Sequence, residues 1–187
     1  MWYFIWLLFA VACTTSRGGI APSAQVEELK GSSTSTPSEK GKAMEQQVER
    51  SGMSVRWYVE GDELFVTMKA PTTGWVAVGF NTQPTLDGSL LILGAVENGK
   101  VRVEEHIAQP PKHPTRISLG GSNALRRFEA KEQDGETQVS FVLNLAARDR
   151  LAPALSLGAL VHLTLAFSQE DDFDHHSIMR TSVQITL

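Results

Sequence analysis

One cysteine, Cys13, stands in the whole 187-residue sequence, which excludes any disulfide closed within the chain. No apolar run is long enough to cross a bilayer: residues 2–12 fall short of the ~20 that a membrane helix needs. An excess of basic charge is also missing, since the formal net charge is −4, and this argues against a nucleic-acid partner. None of the five histidines has the spacing of a zinc site, and no Ser-His-Asp order, nucleotide-binding loop or pair of catalytic acids can be argued. Together these absences predict a protein that is not an enzyme.

What is present divides at about residue 50. Residues 2–12 have the length of a signal-peptide apolar segment and end in Ala10-Val11-Ala12 before Cys13. Small residues ahead of a cysteine resemble a lipobox, the cleavage and lipidation signal of bacterial lipoproteins. That resemblance implies a signal peptide over 1–12 and acyl chains on Cys13, holding the protein to a membrane at about 0.8 kcal/mol per buried methylene. Thr14 and Thr15, rather than Asp, follow the cysteine, which by the same resemblance implies an outer-membrane lipoprotein of the cell envelope. From 13 to 50 the chain is rich in Ser, Thr, Gly, Pro, Lys and Glu, and cannot bury enough surface to offset its ordering entropy. It reads as a flexible tether, with at most a short frayed helix over 42–50. Charges of the two signs cancel across 14–50, so the net −4 belongs to the remainder.

From residue 51 to 187 the hydropathy alternates with a period of two. Val55, Trp57 and Val59 alternate with Arg56, Tyr58 and Glu60; Gly61-Asp62 makes a turn; Leu64, Val66 and Met68 resume the pattern. Pro71-Thr72-Thr73-Gly74 turns the chain into a strand over 75–80. Residues 90–96 form the continuous apolar run of a strand buried on both faces, and Asn98-Gly99 suits the positive φ angles of a type I′ hairpin. Further strands are expected over 101–107, 124–133, 137–145, 159–168 and 177–187, and only 145–157 could make a helical turn. About nine to eleven short strands predict an all-β fold: an antiparallel β-sandwich, immunoglobulin-like in architecture, with a closed barrel as the alternative. A domain of this length buries roughly two thirds of its unfolded surface and needs no disulfide or structural metal.

The segment Thr72-Thr73-Gly74-Trp75-Val76-Ala77-Val78-Gly79-Phe80 resembles the opening signature of DOMON domains, the β-sandwich modules named after the N-terminal part of dopamine β-monooxygenase. The resemblance extends over 52–187. It includes the Trp strand and Gly-Asp hairpin, the Leu86-Asp87-Gly88 loop with the following strand, and a late His-x-x-x-Arg at His176 and Arg180. In cytochrome-type members of that family a haem sits in a pocket at the end of the sandwich. A Met from the loop after the Gly-Phe signature and a His near the last strand hold it. His176 matches the second position, whereas at the first Leu86, which has no donor atom, stands where Met is expected. The resemblance therefore implies haem b as a cofactor, with His176 its sole ligand or one of an unusual pair.

Apart from the resemblance, the run Glu170-Asp171-Asp172-Phe173-Asp174-His175-His176 places four carboxylates and two imidazoles in the loop before the last strand. Loops on a rigid scaffold commonly carry function. If that strand is regular from Ser177, alternation carried backwards puts His176 on the face of Arg180 and His175 on the other, so one histidine at most enters any one pocket. The expected ligand-binding residues are His176, Arg180, His175, Asp172, Asn81 and Leu86. The expected function is a non-catalytic envelope module that binds haem or a saccharide, with a small molecule or an envelope protein as partner. One alternative is a metal site, with Asp171, Asp172 and Asp174 offering oxygens to a hard cation or His176 favouring a transition metal. Another is a structural or protein-interaction lipoprotein whose acidic loop is a solvated rim. Gly74 is assigned to a turn, Trp75 to the core, and Gly79 to a close approach of two backbones. Met53, Met68 and Met179 are core filler, while His106, His162 and His113, the last in a stiff proline-rich loop, receive no role.

Overall fold

The computed structural model of the chain describes residues 44–146 and 149–187; the expected signal peptide, Cys13 and the tether up to residue 43 lie outside the described residues. Ten strands form: β1 (Gln46–Arg50), β2 (Met53–Glu60), β3 (Glu63–Ala70), β4 (Val76–Asn81), β5 (Leu90–Glu97), β6 (Lys100–Ile107), β7 (Leu125–Gln133), β8 (Glu136–Asn144), β9 (Leu160–Phe167) and β10 (Met179–Thr186). They make two five-stranded antiparallel sheets, ordered β1-β2-β3-β8-β7 and β10-β9-β4-β5-β6. The sheets stay open at their edges, so the fold is the expected β-sandwich and not a barrel. Among the described residues there is no helix, and those described within 145–157, where a helical turn is expected, are irregular.

The domain begins earlier than residue 51. Gln46–Arg50 is a strand and not a frayed helix, paired with β2 from Gln46↔Trp57 to Arg50↔Met53. Ser51 (φ 52°) and Gly52 (φ 81°) make the tight turn between the two strands. An edge strand with only half-buried or exposed side chains gains its place from backbone ladder bonds, which is why its polar sequence hides it.

Between the sheets, Val55, Leu64, Val66 and Met68 of the first sheet belong to one apolar core with Val78, Phe80, Ile92 and Leu165 of the second. Each such side chain, fully buried, contributes about 1.5–3 kcal/mol. Val183, Ile185 and Leu187 turn inward as alternation predicts. Asn98 (φ 51°) and Gly99 (φ 75°) adopt the left-handed pair expected of the β5–β6 hairpin.

The long β6–β7 connection folds back on itself through bridges His106↔Thr115 and Gln109↔Lys112. It is fastened by Arg116, whose side chain is 1% exposed. Arg116 pairs with Glu105 at 2.8 Å and with Asp149 at 2.9 Å. Glu105 also accepts from the backbone N–H of Leu125, while Asp149 accepts from those of Ser122 and Leu151, so each carboxylate has several donors. Burial works against the charged form of Asp149, yet the Ser122 and Leu151 N–H groups and Arg116 outweigh it and hold the carboxyl down to about 2.

Candidate functional site

β4 is buried along its whole length because the second sheet is covered on its outer face as well. There Trp75, Ala77, Leu93, Ala95, Ala166 and Phe173 make a second apolar cluster, separate from the core. Trp75 thus packs outside the sandwich and not in its centre, a correction to the expectation above. The strand register explains how this face is roofed. Val76 lies beside Phe167 at one end of the sheet, while Phe80 pairs Leu90 and Leu90 pairs Ile107 at the other. The β9–β10 loop leaves from the first end, and the β4–β5 and β6–β7 connections leave from the second.

Between these loops lies a cavity of about 280 Å³. Ala77, Gly79, Leu91, Leu93 and Ala166 line its apolar part. Gly79 keeps room there: a Cβ would sit 2.7 Å from Leu91 Cδ2 and 3.3 Å from Thr164 Cβ. Its neighbours are side chains, so it spares space beside the cavity and does not serve a backbone crossing. Gly74 does serve one, because a Cβ there would come within 2.4 Å of the Gln169 carbonyl carbon. That approach lets Trp75 N–H donate to the Glu170 carbonyl at 2.9 Å and Ser168 N–H to the Trp75 carbonyl at 3.0 Å, which sets the acidic loop against the sheet.

Of the residues expected at the site, His175, His176, Arg180 and Leu86 all line this cavity. It lies over a sheet face rather than at the end of the sandwich. Both imidazoles reach it because β10 begins at Met179, so the alternation that would have parted them does not extend back through 175–178. Asp172 stands apart: it accepts from Asp174 N–H at 3.0 Å, which leads in holding its carboxyl below the usual range, and lies 3.6 Å from His175 Nδ1. Asn81 is a loop latch, its amide reaching the carbonyls of Thr85 (2.9 Å) and Asp87 (3.0 Å) while its Oδ1 accepts from Gln83 N–H. Among the described residues no group of three or more His, Cys, Asp or Glu is arranged to hold a metal ion.

His113, His106 and Lys112 are what sequence reasoning missed. His113 and Lys112 line the cavity from the folded-back β6–β7 connection. Behind them His106 is buried: its Nε2 faces Glu104 Oε2 at 3.1 Å, its Nδ1 donates to the His113 carbonyl at 2.5 Å, and the two Nδ1 atoms lie 3.2 Å apart. Phe173 meets His106 edge-on at 6.0 Å and carries Arg102 over its other aspect at 4.1 Å, pinning the acidic loop by its one apolar residue. Burial first, and the field of His106 second, push His113 below the ordinary histidine range, so at neutral pH it is an uncharged imidazole. Trp75 is 5% exposed and its indole N–H has no hydrogen-bond partner.

A larger hollow, about 390 Å³, lies on the other sheet around Tyr58, Phe65 and Arg127. Tyr58 and Phe65 stack on each other at 4.5 Å and Arg127 lies over Phe65 at 5.6 Å, so these rings are engaged with their neighbours. It has no imidazole in its lining, and the smaller cavity is the chemically equipped one.

A family model described as the DOMON domain matches residues 49–168. Among solved structures, the chain is similar to the cytochrome b domain of pyranose dehydrogenase from Coprinopsis cinerea, at 10% identity and a TM-score of 0.54, covering 72% of this chain and 76% of that one. It is also similar to the cytochrome domain of Myriococcum thermophilum cellobiose dehydrogenase, at 8% identity and a TM-score of 0.52, covering 76% of this chain and 81% of that one. No curated protein matches the sequence. Likeness at these identities speaks to the fold, and the family model, matching more than half of the sequence, settles membership: the chain belongs to the DOMON domain family.

Proposed function

We propose that this protein is a non-catalytic haem-binding module of the cell envelope, tethered to a membrane through an acylated Cys13. The observation that carries the reading is the cavity on the β10-β9-β4-β5-β6 sheet, apolar where it meets the sheet and provided with imidazoles and cations where the loops meet it. The residues fit the group in three respects. Gly79, Leu91 and Leu93 offer apolar surface to the hydrocarbon part of a macrocycle. His176 offers a nitrogen to iron, and Lys112 and Arg180 offer charge to the two acidic side chains of haem. Trp75 has an indole N–H still to be satisfied. The two structural relatives, both cytochrome domains, support the same cofactor.

Bound there, haem supplies a one-electron couple whose potential the surrounding protein tunes. The chain's own residues would bind the cofactor, orient it and keep water from the apolar part of the cavity. An envelope protein would be the electron partner.

The test is an absorption spectrum of the purified chain with and without added haem. A Soret band in the wild-type protein, lost or strongly weakened in His176→Ala, is the expected result; a saccharide that shifts the melting temperature when haem does not would replace this reading. For the anchor, mass spectrometry of the membrane fraction should find acyl chains on Cys13, and a free thiol on an intact N-terminus would refute it.

A further inference from the structure

In the cavity, the residue at the expected thioether position is Leu86, which has no lone pair to give a metal. The lining nevertheless holds an imidazole on each side of the sheet's length: His176 from the β9–β10 loop at one end, His113 from the β6–β7 connection at the other. We propose that His113 is the second axial ligand, so that haem iron in this protein is held between two imidazoles, His113 and His176. This rests on the haem reading above and adds to it the identity of the bond that Leu86 cannot make.

Three observations converge on His113. Its backbone is held from behind: the His113 carbonyl accepts from His106 Nδ1, and His106 is in turn 3.1 Å from Glu104 Oε2 through its Nε2. Among the described residues nothing hydrogen-bonds to His113 Nε2, which leaves that atom for a ligand. His176 lines the same cavity from the β9–β10 loop, so the two imidazoles face one space. His175 is the weaker candidate for the first ligand, since its Nδ1 is turned toward Asp172.

The experiment loads the full chain with ferric haem and reads electron paramagnetic resonance and absorption spectra. Wild type should be six-coordinate and low-spin, with the signature of two imidazoles. His113→Gln should still take up haem but become five-coordinate and high-spin, and added imidazole should restore the low-spin form. His113→Met guards against a variant that misfolds: it should give a thioether–imidazole pair with a raised midpoint potential. An unchanged low-spin spectrum in His113→Gln, or an unchanged potential in His113→Met, would overturn His113 as ligand while leaving the haem site standing. Loss of the low-spin form in Lys112→Met but not in His113→Gln would assign the bond to Lys112 and overturn the proposal too. Absence of any Soret band in wild type would overturn both this inference and the haem reading beneath it.

Discussion

Arg116 and His113 stand three residues apart on the same β6–β7 connection, yet they belong to opposite kinds of polar cluster. Around Arg116 the charges close on one another: Glu105 and Asp149 each meet the guanidinium and backbone N–H groups besides. Around His113 the cluster is left open: among the described residues nothing hydrogen-bonds to its Nε2, and the Trp75 indole N–H, in the lining of the same cavity, is buried without a partner. A buried cluster that completes itself fixes a loop, whereas one that stops short keeps polar atoms available to a ligand or to water.

The comparison breaks most violently at Arg116. Arg116→Ala leaves two carboxylates uncompensated and should cost about 3–5 kcal/mol in urea denaturation, where an equivalent change at His113 should cost far less. Next comes the space the open cluster needs. Gly79→Leu should abolish haem uptake in a spectral titration while lowering stability by about 1–3 kcal/mol, because side chains crowd that position and one of them, Leu91, can give way.

Acid acts with opposite signs at two carboxylates. The Asp149 carboxyl is held down to about 2, against 3.8 ordinarily, so its contribution is fully present above pH 3.8 and is lost as the pH falls toward 2. That contribution is about 2 kcal/mol, and Asp149→Asn should remove this part of the acid dependence of the melting temperature. The smallest expected effect has the opposite sign. Burial, then Glu97 and Glu170, push the Asp171 carboxyl up, and one of its oxygens is buried without a partner. A raised folded value means a contribution present at low pH and lost as the pH rises through that value. Asp171→Asn should therefore stabilise the protein at neutral pH by up to about 0.5 kcal/mol.

Much of the sandwich was legible because eight of its strands alternate or run apolar, and the turns between several of them carry Gly-Asp, Asn-Gly or Pro-Thr-Thr-Gly signals. β1 was not, since Gln46–Arg50 has almost no apolar side chain to alternate and its only local mark is the Ser51-Gly52 turn. The site was half legible. His176, Arg180 and Leu86 came from a motif, whereas His113 and His106 acquire their meaning only when the bridges His106↔Thr115 and Gln109↔Lys112 fold a proline-rich loop over the sheet. Pairings of that kind leave no periodicity behind. Arg116, in a stretch that reads as an exposed loop, was invisible for the same reason.

The pairing of β4 with β9, Val76 beside Phe167, also sets a timetable. Contacts between segments so far apart in the chain form late, after the cost of closing the loop between them has been met. The cavity draws on both partners and on Arg180 beyond them, so no growing or partly folded chain contains it. Whatever fills the cavity must arrive after the last strand has docked.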